Sequence, residues 1–269
     1  MKWIPFYLTA KTSYDLHAPA VTEFVREVLE DRRQYYAFPS IEHYRRMLRS
    51  QDTWIDYPTQ GAKSQIDTRQ RRTLSEIVRH SAVSPDLGRL LFRCVRSYQP
   101  DTILELGSAA GLSALYQTAA APRATFRGIE GNVELAAIAN AGLQQMGLAH
   151  ARVLAGRFQE LLPELLRELG QLDLVFIDGD HTEEATLQLW EMISPALSKT
   201  GIVILADPYW SKGMQKAWQE ISRRERVRLS IDLFEAGLLF MDPRIRHKQH
   251  YALVRSAWKP WHLGFTASS

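Results

Sequence analysis

The sequence predicts an α/β domain on a mostly parallel sheet, with an antiparallel edge toward the C-terminus and a helical extension in front. Three observations carry this reading. From residue 101, short apolar runs alternate with amphipathic stretches of helical length, the pattern of strands joined by covering helices. Beyond residue 226 the rhythm changes, and strand-like runs follow one another with no helix between them, as antiparallel neighbours do. Before residue 100, apolar positions recur at helical spacing.

The elements follow in order. Pro19 opens a helix through Val21, Phe24, Val25, Val28 and Leu29, and a second helix is expected over 40–48. Residues 56–64 have loop composition. Their Gly61-Ala62-Lys63-Ser64 lacks the Gly-Lys adjacency and preceding strand of a phosphate loop. Ser84-Pro85-Asp86 starts a helix through Tyr98, with Pro85 at its first position. Strands are expected at 102–106, 125–129, 152–155, 174–177 and 202–205, with helices at about 111–120, 132–146, 157–169 and 183–196. A helix near 212–222 then precedes strands at 227–233, 238–241 and 251–254. The chain divides into an extension over 1–79, an α/β domain over 80–255 and a tail over 256–269.

The bulk properties narrow the class. The 269 residues suffice for one full-sized core. Cys94 is the sole cysteine, which rules out an intrachain disulfide or a cysteine zinc cluster. No apolar run approaches the ~20 residues of a membrane span. Residues 3–8 are apolar but short and interrupted by Pro5, so an ordered arm is expected there rather than a signal peptide, and a cytoplasmic location follows by default. Residues 101–210 carry 14 acidic against 6 basic side chains, whereas 21–100 carry 10 against 14 and 211–269 carry 5 against 11. Arginines alternate with acids in the first flank as on solvated helix faces, so nucleic acid is not the expected partner.

The chemistry concentrates in Glu105-Leu106-Gly107-Ser108-Ala109-Ala110-Gly111-Leu112-Ser113. An apolar strand turns through small residues into a helix, so backbone can approach a ligand closely and helix N–H groups face it. Ala109 stands where a nicotinamide-binding fingerprint needs its second glycine, which argues against a pyrophosphate. Glu130, 19 residues past Gly111 and at the next strand end, suits a ribose diol.

These stretches resemble motif I of class I S-adenosylmethionine-dependent methyltransferases, and more narrowly the catechol and caffeoyl-CoA O-methyltransferase group. Val83-Ser84-Pro85-Asp86-Leu87-Gly88 resembles that group's preceding helix, Phe176-Ile177-Asp178-Gly179-Asp180-His181 its motif IV, and Val203-Ile204-Leu205-Ala206-Asp207-Pro208 its next strand end. The resemblance spans roughly 80–241 and implies a Rossmann-like seven-stranded sheet. It places S-adenosylmethionine against Val83, Glu105, Gly107, Ser108, Ala109, Gly111, Ser113, Glu130, Gly131, Arg157, Phe158 and Asp178. Ser113 and the Val83 backbone fall near the methionine carboxylate, and Arg157-Phe158 beside the adenine. Arg157 cannot accept a hydrogen bond from the adenine amino group, which leaves stacking by Phe158.

In metal-dependent relatives, residues matching Asp178, Asp207 and Pro208 bind a divalent cation. Proline supplies no side-chain oxygen, so magnesium on Asp178, Asp207 and waters is expected to be weak. The relatives' general-base lysine corresponds to His181, which admits a catalytic and a structural reading; Asp178 and Asp180 would face the sulfonium or a cation. Moving a proton from a phenol of pKa ~10 to an imidazole of ~6.5 costs about 5 kcal/mol. An aliphatic hydroxyl near ~15.7 costs about 12–13 kcal/mol. The expected acceptor is therefore a small phenolic or similarly acidic molecule. The apparent pKa of His181 is expected near ~6.5, shifted upward if Asp178 and Asp180 favour imidazolium. Tyr209-Trp210 fits substrate lining or lid packing equally, and Trp258 and Trp261 fit core packing or a homodimer contact. Two rival functions stay open: methylation of RNA or protein, and a non-catalytic binding subunit.

Overall fold

The computed structural model describes residues 2–56 and 71–259. A small antiparallel ribbon pairs β1 (Trp54–Asp56) with β2 (Arg71–Thr73). The main sheet follows with β3 (Thr102–Leu106), β4 (Thr125–Glu130), β5 (Arg152–Ala155), β6 (Leu172–Ile177), β7 (Leu197–Ala206), β8 (Leu229–Asp232), β9 (Ala236–Phe240) and β10 (Gln249–Ala252). Their order across the sheet is β10-β8-β9-β7-β6-β3-β4-β5. The strand order reverses between β3 and β6, and open α/β sheets bind ligands at such a switch point, outside the carboxyl ends of the strands.

The sheet holds eight strands, matching the eight strand-like runs of the sequence, where the family resemblance implies seven. Gln249–Ala252 forms the eighth, and it lies parallel to β8. Antiparallel pairing is confined to β9, inserted between β7 and β8, so the outermost strand runs with the parallel set. The segment between β9 and β10 is long enough to pass back across the end of the sheet, which a tight hairpin would not allow.

Side chains on the central strands alternate between two apolar layers. Ile103, Leu174, Phe176, Ile202 and Ile204 join the layer that contains the N-terminal helices and helices Pro85–Tyr98, Leu112–Ala120 and Val133–Gln145. Leu104, Leu106, Val175, Ile177, Val203 and Leu205 face helices Phe158–Leu169, Glu183–Ile193 and Lys212–Arg223. Both faces are covered, so the central strands read as continuous apolar runs. Among the described residues no helix is long and apolar enough to cross a membrane.

The extension contains helix Ala37–Arg49 around the expected 40–48, and Pro19–Phe24 continues through a single π-turn over Val25–Leu29. Two helices go beyond expectation. Trp3–Thr9 is helical, and Leu74–His80 is opened by a capping box in which Thr73 and Glu76 bond each other's backbone N–H. Most of the expected 56–64 loop and Trp261 lie outside the described residues.

Candidate active site

The turn after β3 is built from left-handed backbone. Gly107, Ala109 and Gly111 have φ of 95°, 44° and 83°. A Cβ on Gly107 would stand 2.2 Å from the Asp178 carbonyl oxygen, so only glycine lets β3 and β6 end this close together. A Cβ on Gly111 would meet the Ala139 backbone at 2.7 Å. The strand tips are tied by Asp178 N–H donating to the Leu106 carbonyl at 2.8 Å and Gly107 N–H donating to Ile129 at 2.9 Å.

Glu130 ends β4 and faces this turn. One carboxylate oxygen accepts from Ala109 N–H at 2.8 Å, the other from Asn132 N–H at 2.9 Å. These N–H groups do not exhaust the acceptor capacity of the carboxylate, which can still accept from a ligand hydroxyl. Burial raises its pKa, against the pull of the Asn132, Ala109 and Gly131 N–H groups. Asn132 caps helix Val133–Gln145 and donates from its side-chain amide to the Asp56 carbonyl at 2.7 Å, which ties the β1–β2 ribbon to this end of the sheet. Open space lies beside Gly131.

Glu105 lies on the strand face where period two calls for an apolar side chain, and it is fully buried. It accepts from the Ser113 hydroxyl and from Gln117 Nε2, the latter at 2.9 Å. The Ser113 hydroxyl is thus engaged beneath the turn. Ser108 is buried with its hydroxyl directed toward Gly128. The Val83 carbonyl accepts from the buried Arg45 guanidinium at 2.7 Å. Arg157 extends into solvent toward Glu160, 4.0 Å away, whereas the Phe158 ring lies against Gly179. Phe158 therefore walls the space beside Asp178, and the Arg157 side chain does not.

Burial pushes the Glu105 carboxyl up to about 8. Between pH 4.5 and 8 the folded protein then holds a proton that the unfolded chain has released. Its contribution to stability is full below about pH 4.5 and declines as pH rises toward 8. Glu105→Gln removes that titration. Denaturant unfolding at several pH values should show the wild type losing a few kcal/mol across this window and the variant losing measurably less. Equal slopes for both proteins would show that Glu105 does not titrate there.

A second cluster forms beyond β6 and β7. Asp178, His181 and Asp207 each present a ligand atom, and these atoms lie within 4.8 Å of one another. His181 Nε2 is 3.7 Å from Asp178 Oδ1, while its Nδ1 is enclosed with no hydrogen-bond partner. Asp180 and Asp207 both adopt left-handed backbone, φ 49°, which folds the two loops back over the strand ends. Burial, reinforced by Asp207, pushes Asp178 up to about 8, and burial raises Asp207. Burial lowers the pKa of His181 against the opposing pull of Asp180. The upward shift expected from the sequence is corrected: enclosure outweighs the neighbouring carboxylate.

Trp210 lies beside the imidazole, ring centroids 5.6 Å apart. Glu235, from the tight β8–β9 turn, accepts from Asp207 N–H through its carbonyl and from the Ser84 hydroxyl through its carboxylate at 2.6 Å. Nothing local in the sequence signals Glu235, because its place depends on β9 inserting beside β7. Asn132 carries the ordinary mark of a helix cap, and Arg45 looks like any surface arginine of an amphipathic helix.

Residues 104–207 match the family described as methyltransferase domain. The domain is 31% identical over 129 residues to catechol O-methyltransferase of Niastella koreensis, covering 47% of this chain and 57% of that protein. It is 34% identical over 126 residues to the mouse catechol O-methyltransferase, covering 45% and 46%. The chain thus spans about half the length of these curated relatives. Among solved structures, the chain superposes on an O-methyltransferase from Bacillus cereus in complex with SAH. The TM-score is 0.55 at 16% identity, over 82% of this chain and 97% of that one. The O-methyltransferase TomG from Streptomyces achromogenes gives 0.54 at 18% identity, over 81% and 94%. At these identities the likeness is one of fold.

Proposed function

We propose that the chain transfers a methyl group from S-adenosylmethionine to an oxygen of a small, acidic acceptor, with a phenol as the best-fitting class. The observation that carries this reading is the meeting of two halves at one sheet end: a close-approach turn with a carboxylate beside it, and an enclosed imidazole three residues past Asp178. Relatives named catechol O-methyltransferase support the acceptor class.

The cradle fits a nucleoside cofactor. Gly107 and Gly111 leave no side chain between backbone and ligand, and Glu130 keeps acceptor capacity for a ribose hydroxyl. S-adenosylmethionine, when bound, supplies a methyl group on a positively charged sulfur. Asp178 at the end of β6, its carboxyl pushed up to about 8 by burial, lines that side of the cavity as a polar group, and the Phe158 ring lies against Gly179. His181 takes the acceptor proton at Nε2, the nitrogen that faces Asp178. Its lowered pKa keeps it neutral at pH 7 and makes it a weaker base, so acceptor acidity matters more than for an exposed imidazole. The remaining work is alignment of oxygen, methyl carbon and sulfur.

Calorimetry with S-adenosylmethionine and its demethylated product tests the cofactor. Binding is expected at micromolar Kd or tighter, and Glu130→Ala should weaken it by ~1–3 kcal/mol, the scale of hydrogen bonds to a charged group. Absence of heat with both ligands would sink the reading.

A further inference from the structure

We infer that helix Ala37–Arg49 and strand β1 brace the cofactor cradle from outside, with Arg45 and Asn132 as positioning residues at its two rims. The inference rests on the cofactor reading above. It gives a task to a segment that lies wholly before the matched residues 104–207.

The helix lies along the layer that carries the cradle. At its start the Tyr36 hydroxyl donates to the Ala119 carbonyl at 3.1 Å, at the end of helix Leu112–Ala120 away from the Gly111 turn. Further along, Glu42 accepts from the Tyr116 hydroxyl at 2.6 Å. The two helices therefore run antiparallel, and Arg45 arrives toward the end where helix Leu112–Ala120 begins. Arg45 is only 5% exposed, and its Nη1 donates to the Val83 carbonyl at 2.7 Å while Nε donates to Glu42 at 3.1 Å. Val83 belongs to the sheet end that carries the acidic loop. Ser84 next to it donates to Glu235, whose carbonyl accepts from Asp207 N–H. Arg45 thus fixes one rim through its backbone.

The other rim is fixed from the same segment. Tyr44 packs on helix Val133–Gln145, where a Cβ on Gly142 would meet its ring at 2.8 Å, and its hydroxyl donates to the Ile138 carbonyl at 3.2 Å. At the end of β1, Asp56 N–H donates to Glu134 Oε1 at 3.3 Å, and the Asp56 carbonyl accepts from Asn132 Nδ2 at 2.7 Å. Asn132 is the joint. Its own N–H donates to the Glu130 carboxylate at 2.9 Å, and its Oδ1 caps helix Val133–Gln145. Glu130, Asn132 and β1 are therefore one run of hydrogen bonds, and shifting β1 shifts the carboxylate. Both ties sit where burial leaves little water to replace them: Asn132 is 6% exposed, and a lost bond there leaves a partner unsatisfied. By linkage, a cofactor that binds the braced form must in turn stabilise the brace.

The test uses the full chain and S-adenosylhomocysteine, the demethylated product, followed by calorimetry and by amide hydrogen exchange. Arg45→Lys keeps a cation beside Glu42 but gives up the planar reach to Val83. Asn132→Ser keeps a helix cap but is too short to reach Asp56. Each should weaken S-adenosylhomocysteine by about tenfold, the scale of one buried or charged hydrogen bond. Tyr36→Phe removes a tie of the same helix at the end away from the cradle, and should leave affinity within about twofold of wild type. In the wild type, exchange over residues 37–56 should slow when the ligand binds, and it should slow less in the two rim variants. Thermal melts identify a variant that fails to fold, and either rim variant then carries the test alone. Wild-type affinity in the folded rim variants, or an equal loss in Tyr36→Phe, overturns the inference and leaves the cofactor reading standing. A wild type that gives no heat with the ligand sinks both.

Discussion

His181→Ala should lower kcat by ~10²–10⁴-fold, the ordinary contribution of a positioned general base. Affinity for S-adenosylmethionine should change little, because the cradle around Gly107 and Glu130 does not use the imidazole. The pH dependence sharpens the test. Enclosure lowers the His181 pKa, so the wild-type rate should climb with pH below 6.5 and be level through neutrality. The variant should lack that acid limb. A variant that keeps more than half the wild-type rate, with the same profile from pH 5.5 to 9, assigns His181 a structural role and leaves Asp180 or water as the proton acceptor.

Gly107→Ala should be the most damaging single methyl in the chain. The new Cβ would sit 2.2 Å from the Asp178 carbonyl at a φ of 95° that alanine resists. Backbone strain and overpacking each cost ~1–3 kcal/mol, so a loss of about 2–6 kcal/mol of stability is expected. Relief requires parting β3 from β6, which moves the cofactor turn away from Asp178. Cofactor affinity should fall by more than about 100-fold in whatever fraction folds. Near-wild-type melting and binding would mean that the two strand ends are looser than their hydrogen bonds suggest.

Much of this was legible in the sequence because the central strands are buried on both faces. Their largely apolar runs, such as 102–106 in β3 and 202–205 in β7, coincide with observed strands, and Asp178, His181 and Asp207 each follow such a run. Their convergence could not be read locally, since it depends on β6 and β7 lying side by side in register. A last strand is expected at 251–254, close to β10, but its parallel pairing with β8 is not, as that partner lies twenty residues earlier with an antiparallel strand between them in the chain. Helix Leu74–His80 carried a usable signal, the Thr73–Glu76 capping box, which could have located it. The Ser113 hydroxyl was readable only as a donor near the turn; which carboxylate it meets is decided by the tilt of helix Leu112–Ala120 over the buried Glu105.

The outer side of β10 bears on how the molecule assembles. Lys11 bridges Leu253 in parallel, donating to Ala252 and accepting from Val254, so the arm seals the end of this edge. The same arm lays Phe6 against Tyr209 and Phe234, and Tyr209 directly follows Pro208 in the loop that carries Asp207. Nearly the whole chain separates Lys11 from Leu253, and contacts of such separation form late because loop closure must come first. Until that closure, the loop that carries Asp207 lacks its contact with Phe6 and the edge of β10 stays open to a neighbouring strand, so the arm is what protects this side of the sheet from edge-to-edge pairing.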